Sequence, residues 1–327
     1  MINSGKISEI VTGILKNDRK TLAQAITLIE STRVDDRKNA DKLLSKLLPH
    51  TGNSIRIGIS GVPGVGKSTF IESFGLRLIE SGHRVAVLAI DPSSPKTGGS
   101  ILGDKTRMEK LSKHKDSFIR PSPTQGKLGG VSRRTRETIL LAEASGFDII
   151  LIETVGVGQS ETTVAMLTDI FLLLISPAGG DDLQGIKKGI VELSDLIIVN
   201  KADGDLLQAA NRTAVDYANA LQFLRNEKDT WQPLVLKCSA LKDRGIPSIL
   251  KAVNNFCKQT QRSGLFQTRR SEQAVAAMWE EISERLNENL RSNNKVKKII
   301  NNIQVDLRKG MISPSIAANQ ILKSFLN

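Results

Sequence analysis

A glycine-rich segment in the first quarter of the chain has the composition of a phosphate-binding loop. Residues 61–68, Gly-Val-Pro-Gly-Val-Gly-Lys-Ser, match the pattern G-x-x-x-x-G-K-[ST] in full. Glycines in such a loop let backbone N–H groups converge on phosphate oxygens, while Lys67 neutralises charge on the β- and γ-phosphates. The Ser68 hydroxyl can bind Mg²⁺. The segment therefore predicts a site for a nucleoside triphosphate.

A second motif, Asn200-Lys201-Ala202-Asp203, predicts which base that nucleotide carries. The Asp203 carboxylate can accept hydrogen bonds from the N1–H and the 2-amino group of guanine together. Adenine offers no such pair of donors, and a buried carboxylate left unpaired is costly. Asn200 would brace the loop, and the aliphatic stem of Lys201 would lie over the base. About 130 residues after a phosphate-binding loop, this motif favours GTP and GDP over adenine nucleotides.

A third element, Ser239-Ala240-Leu241, follows a further apolar run. The backbone N–H of Ala240 can reach guanine O6, and the preceding Cys238 is predicted to be a core residue. The predicted nucleotide contacts are Gly61, Val62, Pro63, Gly64, Val65, Gly66, Lys67, Ser68, Thr69, Asn200, Lys201, Asp203, Ser239, Ala240 and Leu241.

Carboxylates at strand ends predict a magnesium site beside the phosphates. Glu153 begins Glu-Thr-Val-Gly, which has the layout D-x-x-G with Glu in place of Asp, and the Gly156 N–H can sense the γ-phosphate. Asp91 ends the second predicted strand, and Asp104 lies in the loop behind it. Either of these two aspartates could instead be a surface cap. The predicted metal ligands are Ser68, Asp91, Asp104 and Glu153.

Short apolar runs alternate with helical periodicity between residues 55 and 260, which places these motifs at strand ends. The apolar runs are residues 55–60, 84–90, 147–152, 169–175, 196–199 and 234–238. The helical segments are residues 68–81, 131–145, 185–193, 211–225 and 246–259. Buried strands alternating with helices predict an α/β fold with a mainly parallel sheet covered on both faces.

The flanking regions are predicted to be helical, which divides the chain into three domains. Residues 1–53 form an N-terminal helical extension, residues 54–261 the nucleotide-binding domain and residues 262–327 a C-terminal helical arm. In the arm Trp279, Ile282 and Leu286 recur at helical spacing as an apolar face. We expect this face to form a two-fold homodimer, and the alternative is packing back onto the nucleotide-binding domain.

Composition excludes several classes of protein. No apolar run approaches the ~18 residues of a membrane helix, and the N-terminus lacks the apolar core of a secretory signal, so we expect a cytoplasmic protein without a membrane partner. Two cysteines and three histidines cannot form a disulfide framework or a structural zinc site. The net charge is +12, yet only 12 of the 327 residues are aromatic, which leaves few platforms for stacking bases. No nucleic-acid partner is expected.

The positive charge is concentrated in residues 105–136, which hold ten Lys and Arg against Glu109 and Asp116. Arg133, Arg134 and Arg136 fall near the start of a predicted helix, where the helix dipole disfavours cations. We interpret this stretch as a docking surface for an acidic partner, and internal pairing with carboxylates is the alternative.

Four longer segments carry a family resemblance. DPSSPKTGGSILGDKTRM (91–108), FIRPSPTQGKLGGVSRRTRE (118–137), ETVGVGQSE (153–161) and DDLQGIKKGI (181–190) resemble the MeaB/ArgK family of P-loop GTPases. The resemblance implies a GTPase core with N-terminal helices and a C-terminal dimerisation arm. It also implies three switch loops, near residues 91–108, 153–161 and 176–188. Asp181, Gln184 and Lys187 in the third loop match family positions that couple hydrolysis to a partner.

The same resemblance implies a function and leaves alternatives open. It implies a Mg²⁺-dependent GTPase that gates cofactor loading and protection of an adenosylcobalamin-dependent acyl-CoA mutase of the methylmalonyl-CoA mutase type. The catalytic set would be Lys67, Glu153, Gly156, Asp181, Gln184 and Lys187, with Lys187 a surface lysine in the alternative interpretation. A nickel metallochaperone GTPase, an RNA-linked GTPase and a transport-associated ATPase of the ArgK type are the competing functions.

Overall fold

The computed structural model describes residues 4–31, 33–91, 108–123, 128–154, 160–177, 188–224 and 230–326. Two compact units divide the chain, Met1–Gln273 (the first unit) and Ala274–Asn327 (the second unit). The strands are β1 Ile55–Gly61, β2 Val85–Asp91, β3 Ser117–Pro123, β4 Ile149–Thr154, β5 Ile170–Ile175, β6 Leu196–Val199 and β7 Leu234–Lys237.

Thirteen α-helices are described in the same ranges. They are α1 Ser4–Leu15, α2 Arg19–Glu30, α3 Val34–Leu47, α4 Lys67–Glu80, α5 Glu109–Lys113, α6 Leu128–Ala144, α7 Ser160–Ala165, α8 Lys188–Leu193, α9 Leu207–Leu224, α10 Ile246–Ser263, α11 Leu265–Ser292, α12 Asn294–Arg308 and α13 Pro314–Leu326. Short 3₁₀ turns span Leu48–His50 and Gly204–Leu206. No helix among the described residues is long and apolar enough to cross a membrane.

All seven strands run parallel in the order β3-β2-β4-β1-β5-β6-β7, which confirms the predicted α/β architecture. The strand β1 lies at the centre between β4 and β5. Because parallel strands all end at one edge, the segments that follow β1, β4, β6 and β7 meet there. The topology therefore brings the phosphate-binding loop, Glu153, residues 200–203 and residues 239–241 to a single edge of the sheet.

Alternating residues of the strands fill a core on each face of the sheet, and a third buried cluster joins β5 and β6 to α9. In β4, Ile149 and Leu151 pack with α4 and α10, whereas Ile150 and Ile152 pack with α6 and the N-terminal helices. Burial on both faces explains why the strands are apolar throughout and show no alternation. The apolar stripes of α1–α3 are thus part of a core of the first unit.

The sequence analysis missed β3, which is the edge strand next to β2. Its register pairs Val85 with Ser117 and Asp91 with Pro123. Pro121 and Pro123 argued against a strand, because proline cannot donate a hydrogen bond to a neighbouring strand. At the edge of a sheet that donor is not needed on the outer side, so the prolines are tolerated.

Several helix bounds also differ from the predicted ones. The helix predicted over 211–225 begins at Leu207, where it continues the turn Gly204–Leu206. The helix predicted over 246–259 runs on to Ser263 and ends at Gly264, whose φ of +79° suits glycine. The first helix of the predicted C-terminal arm begins at Leu265.

The first turns of α11 belong to the first unit because they bind the start of β5 and β6. Arg270 pairs with Asp169 at 2.7 Å, and Arg269 pairs with Asp195 at 3.1 Å. Gln273 Nε2 donates to Thr168 O at 2.8 Å. The structure thus groups residues 262–273 with the sheet, and the assignment of residues 262–327 to a dimerisation arm stays a prediction.

The second unit is built from the rest of α11 with α12 and α13. Val296, Ile303 and Ala317 are its buried side chains. The helix α11 has no buried residue, and Trp279 and Leu286 are 61% and 54% exposed. The apolar face predicted from the sequence is therefore present, and the described residues leave it uncovered.

Candidate nucleotide-binding site

The loop between β1 and α4 adopts a backbone that only glycine permits at two positions. Gly61 has φ of +154°, and a Cβ there would lie 2.4 Å from Leu174 O. Gly66 has φ of +94°, and a Cβ there would lie 2.8 Å from Asn200 Nδ2. The loop therefore packs against β5 on one side and against Asn200 on the other. This close packing explains why both positions require glycine.

Lys67 opens α4 and is buried beneath the loop. Its Nζ donates to Gly61 O at 2.8 Å. Burial lowers the pKa of Lys67, and the nearby carboxylates of Glu153 and Glu161 act in the opposite direction. The ammonium group is held at the start of a helix, where an anion could accept its hydrogen bond in place of the loop carbonyl.

Asn200 joins the three predicted parts of the nucleotide site. Its Nδ2 donates to Val65 O at 2.9 Å, and its Oδ1 accepts from Ala240 N at 3.1 Å. The Cys238 thiol also donates to Oδ1, at 3.4 Å, and burial raises the pKa of that thiol to about 12, so it stays protonated. This buried amide is the brace that the sequence predicted.

Lys201 and Asp203 flank Ala202 in a tight turn beyond β6. Lys201 has φ of +57° and donates from Nζ to Gly64 O at 2.7 Å, so its stem crosses towards the phosphate-binding loop. The backbone N–H of Ala202 donates to Cys238 O at 2.9 Å. Asp203 is half-buried, and its carboxylate makes no hydrogen bond to any residue that the structure describes. It is therefore available to the donors of a base.

The segment beyond β7 lies against Asn200, a contact that the sequence did not predict. The Ala240 N–H donates to Asn200 Oδ1, so a guanine O6 would share this donor with the amide. Ser239 is buried, and its hydroxyl accepts from Lys242 N at 3.2 Å. The Leu241 side chain is 78% exposed.

Ser68 and Glu153 lie together next to Lys67. The Ser68 hydroxyl is 3.5 Å from Glu153 Oε1, and Glu153 is buried. Hydroxyl and carboxylate oxygens are the hard donors that Mg²⁺ prefers, usually alongside phosphates and waters. Asp91 ends β2 beside β4, so its backbone lies on the same edge of the sheet. The Ser68 hydroxyl and the Glu153 carboxylate together fit Mg²⁺.

Five of the predicted site residues fall outside the described ranges. They are Asp104 of the metal set, Gly156, and Asp181, Gln184 and Lys187 of the third loop. The three loops that the family resemblance identifies as switches coincide largely with the gaps between described ranges. Among the described residues no cluster of three or more His, Cys, Asp or Glu could hold a metal ion.

Sequence reasoning missed a group of residues behind the site. Asp243 binds Ser73 and Arg77 of α4, and Thr154 donates to Ser60 Oγ at 2.9 Å between the ends of β4 and β1. Ser, Thr, Asp and Arg at these positions carry no motif. The only local signal was the run Lys-Asp-Arg-Gly that follows Leu241, which is typical of a turn.

The basic stretch is paired internally at several points. Arg120 forms an ion pair with Glu30, and Arg133 Nε lies 3.2 Å from Glu137 Oε1. Arg37 of α3 binds the same Glu137 at 2.9 Å. These contacts support the alternative of internal pairing for Arg120 and Arg133, and they fasten the N-terminal helices to α6 and β3.

Comparison with known proteins adds independent findings. The family model described as "Methylmalonyl Co-A mutase-associated GTPase MeaB" matches residues 22–295. The "Methylmalonic aciduria type A homolog, mitochondrial" of Mus musculus is 46% identical over 329 residues, covering 98% of this chain and 79% of its own. The "GTPase ArgK" of Escherichia coli is 45% identical, covering 98% and 97%.

A solved structure is also similar to this chain along its whole length. The "LAO/AO transport system kinase" is 37% identical, covers 100% of both chains and superposes with a TM-score of 0.78. The described fold and the match along the whole chain thus agree with the resemblance stated from the sequence.

Proposed function

The chain belongs to the MeaB family of GTPases, and from that premise we propose that it is a Mg²⁺-dependent GTPase chaperone of an adenosylcobalamin-dependent acyl-CoA mutase. The mutase would be of the methylmalonyl-CoA type, which the descriptions of the family and of the mouse relative support. Binding and hydrolysis of GTP would gate loading and protection of the mutase cofactor. The protein would act as a homodimer in the cytoplasm.

The observation that carries the GTP-binding part is the junction made by Asn200. One side chain holds the phosphate-binding loop at Val65 O and the base-reading segment at Ala240 N. The phosphate and base subsites are therefore fixed relative to each other before a nucleotide binds. Such preorganisation suits a ligand with a purine base and a polyphosphate at opposite ends.

The chain's own residues supply the electrostatics of hydrolysis. Lys67 would exchange Gly61 O for the β- and γ-phosphate oxygens. The negative charge of the phosphates would stabilise the charged form of Lys67, which burial disfavours. The N–H groups of the loop and the N-terminus of α4 add positive potential. Gly156 would sense the γ-phosphate, and Asp181, Gln184 and Lys187 would act in the complex with a partner. In-line attack by water needs mainly this positioning and charge neutralisation.

A magnesium ion would be held by Ser68 and Glu153, with Asp91 and Asp104 as further ligands. When bound, it supplies charge neutralisation between the β- and γ-phosphates. Glu153 is buried beside Lys67 and Ser68, so its negative charge is already oriented towards the phosphate subsite.

The competing functions find less support. A nickel chaperone needs a His and Cys ligand cluster, and the described residues contain none. An RNA-linked role rested on the positive charge, part of which is paired with Glu30 and Glu137. The solved relative is described as a kinase, whereas the Asp203 carboxylate, which makes no hydrogen bond to any described residue, suits the two donors of guanine.

Hydrolysis measured with and without an adenosylcobalamin-dependent acyl-CoA mutase tests the proposal. We expect GTP hydrolysis to be slow alone and faster when the mutase from the same source is added. Transfer of adenosylcobalamin to the apo-mutase should differ between GTP and a non-hydrolysable analogue.

Lys187→Ala should lower the stimulated rate by about a hundredfold, the scale for losing a group that stabilises transition-state charge. Lys188→Ala, at the neighbouring position, serves as the matched control. Absence of stimulation together with absence of a complex in sedimentation would contradict the chaperone function. ATP hydrolysis at the rate of GTP would contradict the guanine assignment.

A further inference from the structure

The loop beyond β7 is closed on itself by backbone contacts. We call residues 238–245 the base loop. Ser239 and Arg244 exchange two backbone hydrogen bonds, of 3.0 and 3.1 Å. Gly245 has φ of +79°, and a Cβ there would lie 2.3 Å from Lys237 O. Because the loop is internally closed, its position relative to the phosphate subsite depends on what holds it from outside.

One outer contact is made by Asp243 to the helix that begins at Lys67. Ser73 Oγ donates to Asp243 Oδ1 at 2.8 Å, and Arg77 Nη2 donates to Oδ2, so both carboxylate oxygens are engaged. Ser73 and Arg77 are one turn apart on the same face of α4. The hydrogen bond from Arg77 is the largest cause that lowers the pKa of Asp243, so the carboxylate is charged at neutral pH.

The backbone at Asp243 is unusual as well. Its φ is +52°, a left-handed conformation that aspartate tolerates better than most residues. The side chains of Arg77 and Asp243 are 41% and 39% exposed, and ion pairs with that exposure add little to stability. The contact is therefore better explained by the position it enforces than by the stability it adds.

We propose that Asp243 is a positioning residue for base recognition, because it sets the distance between the base loop and the helix that carries the phosphate-binding lysine. The inference rests on the proposed function, since it takes the base loop to contact guanine O6. The base and phosphates of one nucleotide are joined covalently. A base loop released from α4 would keep its internal bonds and its Ala240–Asn200 contact. Its outer half would lose a fixed distance from α4, so its fit to the base at position 6 would weaken.

Two variants remove the contact from opposite sides. Asp243→Gly deletes the carboxylate and retains the left-handed backbone, which glycine adopts without strain. Ser73→Ala combined with Arg77→Ala deletes the donors on α4 and leaves the base loop unchanged, so it covers the case in which Asp243→Gly fails to fold. Glu80→Ala is the matched control, because Glu80 pairs with Arg77 at 3.0 Å through Nη1, whereas Asp243 binds Nη2.

The readout is the affinity for three diphosphates, GDP, 6-thio-GDP and IDP. The sulfur of 6-thio-GDP replaces O6 with a larger and weaker acceptor, whereas IDP lacks the 2-amino group that Asp203 would bind. We expect both variants to weaken GDP binding by about threefold to fivefold, because a positional bias cannot exceed the small energy of the exposed ion pair that supplies it. The ratio of the dissociation constant for 6-thio-GDP to that for GDP should fall towards one. The preference for GDP over IDP should stay within about twofold of the unmodified protein, and Glu80→Ala should change neither.

A parallel loss for all three diphosphates, with both preferences retained, would overturn the proposal, because general loosening of the fold predicts that result. Unchanged GDP affinity in both variants would overturn it too. If the unmodified protein shows no preference for GDP over IDP or over ADP, the guanine assignment itself fails. That outcome can be distinguished from failure of the Asp243 inference, because in the latter case the unmodified protein still prefers GDP over IDP and ADP.

Discussion

The backbone of Asp203 is held by hydrogen bonds. Its carboxylate has no hydrogen-bond partner among the described residues. Its own N–H donates to Lys201 O at 2.9 Å, and its carbonyl accepts from Leu206 N at 3.1 Å. A half-buried carboxylate in this setting gains most from a ligand that presents two adjacent donors. At the scale of single residues, we therefore propose that Asp203 confers selectivity for guanine.

Asp203→Asn should weaken GDP binding by about 2 kcal/mol, or roughly thirtyfold, because a charge-assisted hydrogen bond is lost. The same change should improve binding of xanthosine diphosphate, whose 2-oxo group accepts from the new amide. Calorimetry with both nucleotides measures the two effects. Asp205→Asn, at an exposed position two residues on, is the control. Unmodified protein that binds ADP as tightly as GDP would refute the assignment.

The elements of the first unit are joined at the amino-terminal edge of the sheet by buried ion pairs. Arg270 Nε donates to Asp169 Oδ1 at 2.7 Å, and its Nη1 donates to the carbonyl of Gly52 at 2.6 Å. Glu143 of α6 accepts from Gly52 N at 2.8 Å and from the guanidinium of Arg56. These contacts tie α11, α6, β1 and β5 together, far from the edge that binds the nucleotide.

Arg270→Met should lower the free energy of unfolding of the first unit by about 3 kcal/mol, because it leaves Asp169 buried without its counter-charge. Adding Asp169→Asn should recover part of that loss. Urea unfolding followed by Trp231 fluorescence, in a Trp279→Phe background, reports on the first unit. Lys113→Met removes an exposed ion pair with Glu109 and should change stability by less than about 1 kcal/mol. An equal effect of Lys113→Met and Arg270→Met would contradict this explanation.

At the scale of the whole molecule, the uncovered face of α11 favours assembly. Trp279, Ile282 and Leu286 are 61%, 37% and 54% exposed, and an apolar stripe of this kind on one helix needs a partner. We therefore retain the proposal of a two-fold homodimer through the second unit. Truncation at Gln261 would be a poor test, because it also removes Arg269 and Arg270 from their buried carboxylates.

Trp279→Glu combined with Ile282→Glu should weaken the dimer by about 2 kcal/mol or more, since buried aromatic anchors dominate such interfaces. Sedimentation velocity over a range of concentrations measures the change. Phe223→Glu is the control, because Phe223 is an apolar side chain of the first unit and is 90% exposed. Dimers that persist in the double variant, or unmodified protein that sediments as a monomer, would place the interface elsewhere or remove it.

What the sequence by itself determined were features written in consecutive residues. The phosphate-binding loop, residues 200–203 and the six apolar strands are local patterns, because each depends on neighbours along the chain. The parallel sheet followed from their alternation with helices, and the family followed from four longer segments. Glu153 was predicted to be a metal ligand in the same way, from its place at the end of a strand.

Contacts between distant residues were decided only by the tertiary structure. Asn200 reaches Val65 across 135 positions, and Ser73 reaches Asp243 across 170. The edge strand β3 was hidden by its prolines, and the partners of Arg120 and Arg133 were hidden among many carboxylates. A single side chain carries no record of its partner when any of several distant groups could satisfy it. Only the packing of the sheet and helices selects one of them.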